Sequence, residues 1–368
     1  MKMVVFGLTI SSSWGNGHAT LWRGLTRALA RRGWTVTFFE RNVPYYAGTR
    51  DLYEIKNGEL VLYQDWEDVL PAAQRHVRDA DAVMVTSYCP DGIAASELAL
   101  SAERAVKVFY DLDTPVTLSA LDRGESLTYV GPRGLKDFDL VLSYTGGGAL
   151  SELRERLGAR RVKALFGHVD PATHRPTAAR RNYAADLSYI GTYAADRQQA
   201  LEELLVAAAR QRPEARFVIA GAQYPEDFPW ADNIFFVRHL PPEEHPAFYS
   251  SARLTLNITR RAMAEMGWCP SGRLFEAAAC GVPVLSDWWQ GLDQFFEPGS
   301  EILVAQSSAD TLAALGRDEA ELKRIAARAR ERTLTEHTSD RRAEELESYL
   351  NQVLSARSDE PELQIQGS

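Results

Sequence analysis

Short apolar runs alternate with stretches whose apolar residues recur every three or four positions, and this alternation continues along most of the chain. Residues 4–8, 35–39, 60–63, 82–86, 106–110 and 140–143 read as buried strands, and residues 19–32, 66–78, 93–102 and 148–157 carry the helical period between them. Strands that alternate with helices predict a parallel, doubly wound sheet, because each parallel return needs a crossover. The turn-rich segment Gly167-His-Val-Asp-Pro-Ala-Thr-His-Arg-Pro176 ends this first series and predicts a domain boundary near residue 170. A second series follows, with strands at 187–190, 216–220, 234–237, 254–257, 282–285 and 301–304 and helices at 197–210 and 243–250. The fold class expected is therefore α/β, two Rossmann-like doubly wound parallel-sheet domains (1–170 and 171–338) facing a cleft. Beyond residue 318 the chain is charged and helix-forming to about residue 354, with Leu346, Tyr349, Leu350 and Val353 on one face. Residues 355–368 lack periodicity and are expected to be a disordered tail.

Length and composition add limits. A chain of 368 residues exceeds what one core usually organises, which agrees with two domains. A formal net charge of −9 argues against nucleic acid as a bulk partner. No apolar run approaches the roughly 20 residues needed to cross a bilayer, and residues 1–8 read as a first strand rather than a signal peptide. Cys89, Cys269 and Cys280 are too few and too scattered for a disulfide framework or a zinc site, so a reduced, cytoplasmic setting is expected.

The most informative stretch is Pro270-Ser-Gly-Arg-Leu-Phe-Glu-Ala-Ala-Ala-Cys-Gly-Val-Pro-Val-Leu-Ser-Asp287, which reads as a helix, a tight stop and a buried strand. Ser271 is the expected N-cap and Gly281 the expected left-handed residue past the end. Arg273 and Glu276 share a face of this helix. A helix N-terminus favours anions, so Arg273 suits a phosphate, and the Glu276 carboxylate suits a diol such as ribose. A surface ion pair is the alternative reading of the same spacing.

The stretch from Arg273 to Asp287 resembles the nucleotide-binding signature of glycosyltransferases with the two-domain GT-B fold, and specifically of the CgeB-like group. The resemblance implies that Glu276 holds the donor ribose, and that the helix opening at Ser271, Arg273 and Leu274 faces the diphosphate. It also implies that the loop Gly191-Thr192-Tyr193 approaches the same diphosphate, with Arg197 a weaker contact. GT-B transferases generally work without a metal, so neither metal nor cofactor is expected, and a terminal helix at 339–354 is expected to pack back on the first domain. One departure stands out: many relatives carry a second glutamate eight positions before the first, and Trp268 stands there.

Several loops at the expected sheet rim carry further candidates. Trp14-Gly-Asn-Gly-His-Ala19 fails as a dinucleotide fingerprint because Thr20 replaces the third glycine. It is similar to the loop that presents a general-base histidine in several GT-B families; His18 fills that role or merely caps its helix. Alternation puts Asp111 and Asp113 on one side, where either carboxylate would orient His18 or contact acceptor hydroxyls, and Pro115 disfavours a metal there. Arg260, in preference to Arg261, is expected to neutralise the diphosphate. Trp288, Trp289 and Gln290 either contact a sugar or pack between domains. The expected function is transfer of a sugar, in the manner of a hexosyltransferase, from a nucleotide-diphosphate sugar to an acceptor hydroxyl. An epimerase of the same fold and a silent sugar-nucleotide-binding protein are the alternatives.

Overall fold

A computed structural model describes residues 1–358. The first sheet has seven strands, β1 (Lys2–Gly7), β2 (Thr35–Arg41), β3 (Gly58–Tyr63), β4 (Ala82–Thr86), β5 (Val106–Asp111), β6 (Leu140–Ser143) and β7 (Val162–Ala164). They lie in the order β3-β2-β1-β4-β5-β6-β7, and every pairing is parallel. The second sheet has six, β8 (Ala185–Ile190), β9 (Phe217–Gly221), β10 (Ile234–Arg238), β11 (Ala252–Asn257), β12 (Val284–Ser286) and β13 (Leu303–Val304), ordered β10-β9-β8-β11-β12-β13 and again all parallel. Both sheets reverse their winding once, at β1/β4 and at β8/β11. Loops leaving the carboxyl ends on either side of such a point splay apart and leave a crevice, so each domain offers one ligand position there.

Each sheet is buried on both faces, which is why its strands read as continuous apolar runs. The helix His18–Arg31 covers one face of the first sheet through Leu21, Trp22, Leu25 and Leu29. The helix Ser339–Ser358 shares that face through Ala343, Leu346, Leu350 and Val353, although it follows the second domain in sequence. It runs four residues beyond the expected end; the remainder of the expected disordered tail, residues 359–368, lies outside the described residues.

Two other elements differ from expectation: helices Thr114–Asp122 and Arg261–Met266 follow β5 and β11, where the sequence pattern predicts none. The charged region beyond residue 318 is two helices, Glu319–Glu336 and Ser339–Ser358, the second where a terminal helix is expected. No glycine or proline marks this break. It exists because Val169 donates its N–H to the His337 carbonyl at 3.0 Å and Ser339 donates to the Val169 carbonyl at 2.8 Å, a partner 170 residues away. Leu346 is fully buried against the first domain, so Leu346→Ala should cost about 2–5 kcal/mol. Urea denaturation checks this, and a loss below about 0.5 kcal/mol would mean that the helix does not pack as described.

Candidate functional site

The carboxyl ends of the two sheets face one another across a cavity of about 500 Å³. On the second-domain wall the helix Gly272–Ala279 points its opening at this space. Ser271 occupies the N-cap position, yet its hydroxyl makes no capping bond and instead accepts from Nε of Arg273 at 3.1 Å. The amide of Leu274 donates to the Ser271 carbonyl, and its side chain is buried in the domain core, so the amides left free at this end are those of Gly272 and Arg273. Arg273 is held by the Ile190 carbonyl, 3.2 Å from Nη1, and lies over the Tyr189 ring.

Glu276, one turn on, is buried and still lines the cavity; its Oε1 accepts from the Thr20 hydroxyl of the first domain at 3.0 Å. Burial works against the Glu276 charge, but His174, His245, Thr20 and Arg273 outweigh it and hold the carboxyl below its ordinary value. Burial also depresses His174 and His245, the latter to about 4.

Gly191 and Thr192 line the cavity at the end of β8. A Cβ at Gly191 would sit 2.7 Å from the Tyr189 hydroxyl, so any side chain there would push against the Tyr189 ring. Tyr193 instead stacks edge-on against Tyr224, away from the lining. Arg197 is buried beneath the loop, with Nη2 donating to the Thr192 carbonyl at 2.6 Å. Arg260 reaches the cavity paired with Asp196 at 2.9 Å, whereas Arg261 is exposed. The loop bearing Arg260 is fastened by Asp287, whose carboxylate accepts from the Thr259 amide and hydroxyl at 3.0–3.1 Å.

Across the cleft His18 begins its helix with Nε2 3.8 Å from Oδ1 of Asp113. Burial, and then the neighbouring Asp113 carboxylate, raise the hydroxyl of Tyr88, whose backbone lies in the left-handed region at φ 65°. Asp111 is elsewhere. Fully buried, it accepts from the Asp113 amide at 3.2 Å and the Thr117 hydroxyl at 3.1 Å, and it holds the loop without lining the cavity. The strand ends at Asp111, so the alternation expected to put both aspartates on one side stops before Asp113.

Residues 197–348 match the family model described as glycosyl transferase-like. Comparison with curated proteins finds no match. Among solved structures, the chain is similar to sucrose-phosphate synthase from Thermosynechococcus elongatus at 16% identity and TM-score 0.71, covering 97% of this chain and 100% of that one. An alpha-glucosyltransferase in complex with UDP-glucose and DNA containing an abasic site matches at 14% identity and TM-score 0.71, covering 95% and 99%. HepE of Anabaena in complex with UDP and glucose matches at 12% identity and TM-score 0.66, covering 96% and 100%.

The chain has the GT-B fold.

Within this GT-B cleft His18, Asp113, Gly191, Thr192, Arg260, Ser271, Arg273 and Glu276 line one cavity, whereas Asp111, Tyr193 and Leu274 serve the surrounding structure. Trp289 is buried in the second-domain core, and Trp288 is exposed. Sequence reasoning alone misses Tyr88, Thr20, His174, His245 and Asp287. Thr20 reads there only as a missing glycine and Asp287 only as the end of a motif; Tyr88 shows no signal in sequence, since its φ is set by the loop. Trp268 sits at φ 44°, with its indole in the space above Gly147 and Gly291, where an added Cβ would collide with it.

Burial raises Asp111 to about 6. Its folded value lies above the ordinary one, so its contribution to stability is full below about pH 4 and is lost as pH rises through about 6. The difference in unfolding free energy between pH 4 and pH 7 should shrink in Asp111→Asn by on the order of 2 kcal/mol. Asp287, also raised to about 6, acts in the same direction in both proteins. Identical pH profiles would contradict the assignment.

Proposed function

We propose that the chain transfers a sugar from a nucleotide-diphosphate donor to an acceptor hydroxyl, without a metal or cofactor. The observation that carries this reading is the meeting of Arg273 and Glu276 with His18 and Asp113 in one cavity between the two switch points. Glu276 would accept hydrogen bonds from the donor ribose. The free amides of Gly272 and Arg273, with the guanidinium groups of Arg273 and Arg260, would take up the charge that develops on the diphosphate as its bond to the sugar breaks. The imidazole of His18 would remove the proton from the acceptor hydroxyl, with Asp113, 3.8 Å from its Nε2, stabilising the imidazolium formed. The loop at 221–222 and His239, whose ring lies 4.5 Å from that of Trp14, would frame the nucleobase.

Two GT-B neighbours bound to UDP-glucose support a UDP-hexose as the first donor to try, and the 273–287 signature supports the CgeB-like group. The net charge of −9 supports a small hydroxyl acceptor over nucleic acid, although one neighbour is bound to DNA. Three free, buried cysteines fit a cytoplasmic setting, and no helix among the described residues is long and apolar enough to cross a membrane.

A thermal-shift panel of UDP-, GDP-, dTDP-, ADP- and CMP-sugars tests the donor site. A matching donor at 100 times its dissociation constant should add about 2.7 kcal/mol to the folded state. Glu276→Ala and Arg273→Ala should each weaken that donor about 10–100-fold, or about 1.4–2.8 kcal/mol. Equal binding by both variants and the parent would refute the donor-site assignment. With donor and acceptor in hand, His18→Ala should lower kcat about 10²–10⁴-fold while keeping the thermal shift. Product analysis without acceptor separates transfer from epimerisation.

A further inference from the structure

Two buried imidazoles stand beside Glu276, and the transfer chemistry above does not use them. His174 lies in the segment between the domains, and His245 opens the helix His245–Ser250. Nε2 of His174 is 3.9 Å from Oε1 of Glu276, Nδ1 of His245 is 3.9 Å from Oε2, and the two ring nitrogens are 3.5 Å apart. The other nitrogen of His245, Nε2, is 3.2 Å from the Leu240 carbonyl. A carbonyl only accepts, so Nε2 keeps the proton and Nδ1 turns a lone pair toward the cluster. A backbone carbonyl commonly fixes the tautomer of a metal-ligating histidine in this way.

With one donor atom from each residue, the three atoms all lie within 4.8 Å of one another, and each Glu276 oxygen stands 3.9 Å from one of the two ring nitrogens. Around a tetrahedral ion with bonds of roughly 2.0–2.2 Å, donor atoms stand about 3.4 Å apart, so the cluster needs to contract by about 1.4 Å at most, within reach of side-chain rotation. Without a metal, Nε2–H of His174 can donate to Nδ1 of His245, but 3.5 Å is at the weak limit for such a bond. Moving that proton to Nδ1 of His174 supplies the second lone pair. Two imidazoles and a carboxylate suit zinc and its neighbours rather than magnesium or calcium, which prefer all-oxygen sites. Glu276 and His245 both line the cavity, so a fourth coordination position would open toward it.

We propose that His174, His245 and Glu276 form a binding site for a zinc-class transition-metal ion, and that this ion and the donor ribose exclude one another at Glu276. The ion is an inhibitor of the metal-free transfer. The exclusion rests on the reading of Glu276 as the ribose carboxylate; the metal site itself does not.

The test uses the tag-free, chelator-stripped full chain titrated with CoCl₂. The expected result is a visible band of four-coordinate cobalt that saturates at one equivalent, is displaced by ZnCl₂ and lacks thiolate charge transfer. His174→Ala and His245→Ala should each weaken it at least tenfold, and His76→Ala, on the remote helix Trp66–Arg78, should leave it unchanged. The site is disproved by the absence of a saturable band in the parent protein, or by a band that survives both histidine variants. The parent titration requires no variant to fold. UDP-glucose, or whichever donor the thermal-shift panel identifies, is then added. A rise in the apparent cobalt dissociation constant supports exclusion, and unchanged cobalt binding at saturating donor overturns it. Donor binding that depends on Glu276 without any cobalt band defeats the metal site alone; a cobalt band with no sugar nucleotide bound leaves the metal site and defeats the ribose reading.

Discussion

Two backbone hydrogen bonds, from Val169 to His337 and from Ser339 to Val169, tie together the two places where the chain passes between its domains. The mutual placement of the sheets depends on this knot. Side chains reinforce it: Ser339 bonds to His168 at 2.9 Å, Arg342 donates to the Phe166 carbonyl at 3.2 Å, and Gly24 has no side chain because Ser339 occupies the space. Residues 339–358 are thereby returned to the first domain, where Leu346, Leu350 and Val353 complete one face of its sheet. A helix encoded at the end of the chain thus belongs to the core that begins it. The same knot turns the carboxyl ends of both sheets toward each other, and both switch points open into one space.

The contents of that space contrast with the chain as a whole. A protein of net charge −9 gathers Arg197, Arg260 and Arg273 on one wall. Each is oriented by a partner that leaves part of the guanidinium available: the Thr192 carbonyl, Asp196 and the Ile190 carbonyl respectively. Held cations lose little side-chain entropy when an anion arrives. The first-domain wall instead carries Asp113 beside His18 and the rings of Tyr46, Tyr88 and Tyr144. Thr20 bridges the walls, its hydroxyl on Glu276 in the place that the proposed function gives to a ribose hydroxyl, so the first domain already reaches that carboxylate.

Trp268 shows how a departure in sequence becomes a different structural element. At φ 44° it pays a backbone cost of order 1 kcal/mol, which persists only where surrounding contacts over-determine it. Those contacts are two backbone bonds, Gly146 N–H to the Trp268 carbonyl and Trp268 N–H to the Gln290 carbonyl, and a slot walled by Gly147 and Gly291. Where the resemblance implies a carboxylate, the structure has an apolar wedge between loops of the two domains.

Local pattern determined most of the fold. Strands of β-branched and apolar residues, buried on both faces, cannot be mistaken for amphipathic surface, and the left-handed Gly281 at φ 77° closes the helix where a glycine was expected. Residue chemistry likewise put His18, Arg260, Arg273 and Glu276 among the candidates before their neighbours were known. Only the tertiary structure decided which candidates meet. Asp111 and Asp113 are two residues apart, yet the end of β5 separates a buried loop anchor from a cavity carboxylate. Leu274 and Tyr193 lie next to cavity residues but turn into packing. The break at His337 depends on Val169, and the pairing of Glu276 with Thr20, His174 and His245 depends on segments 31–256 residues away. A sequence records local periodicity because backbone geometry is local; it does not record which distant groups will share a buried space, because that follows from how the two sheets are brought together.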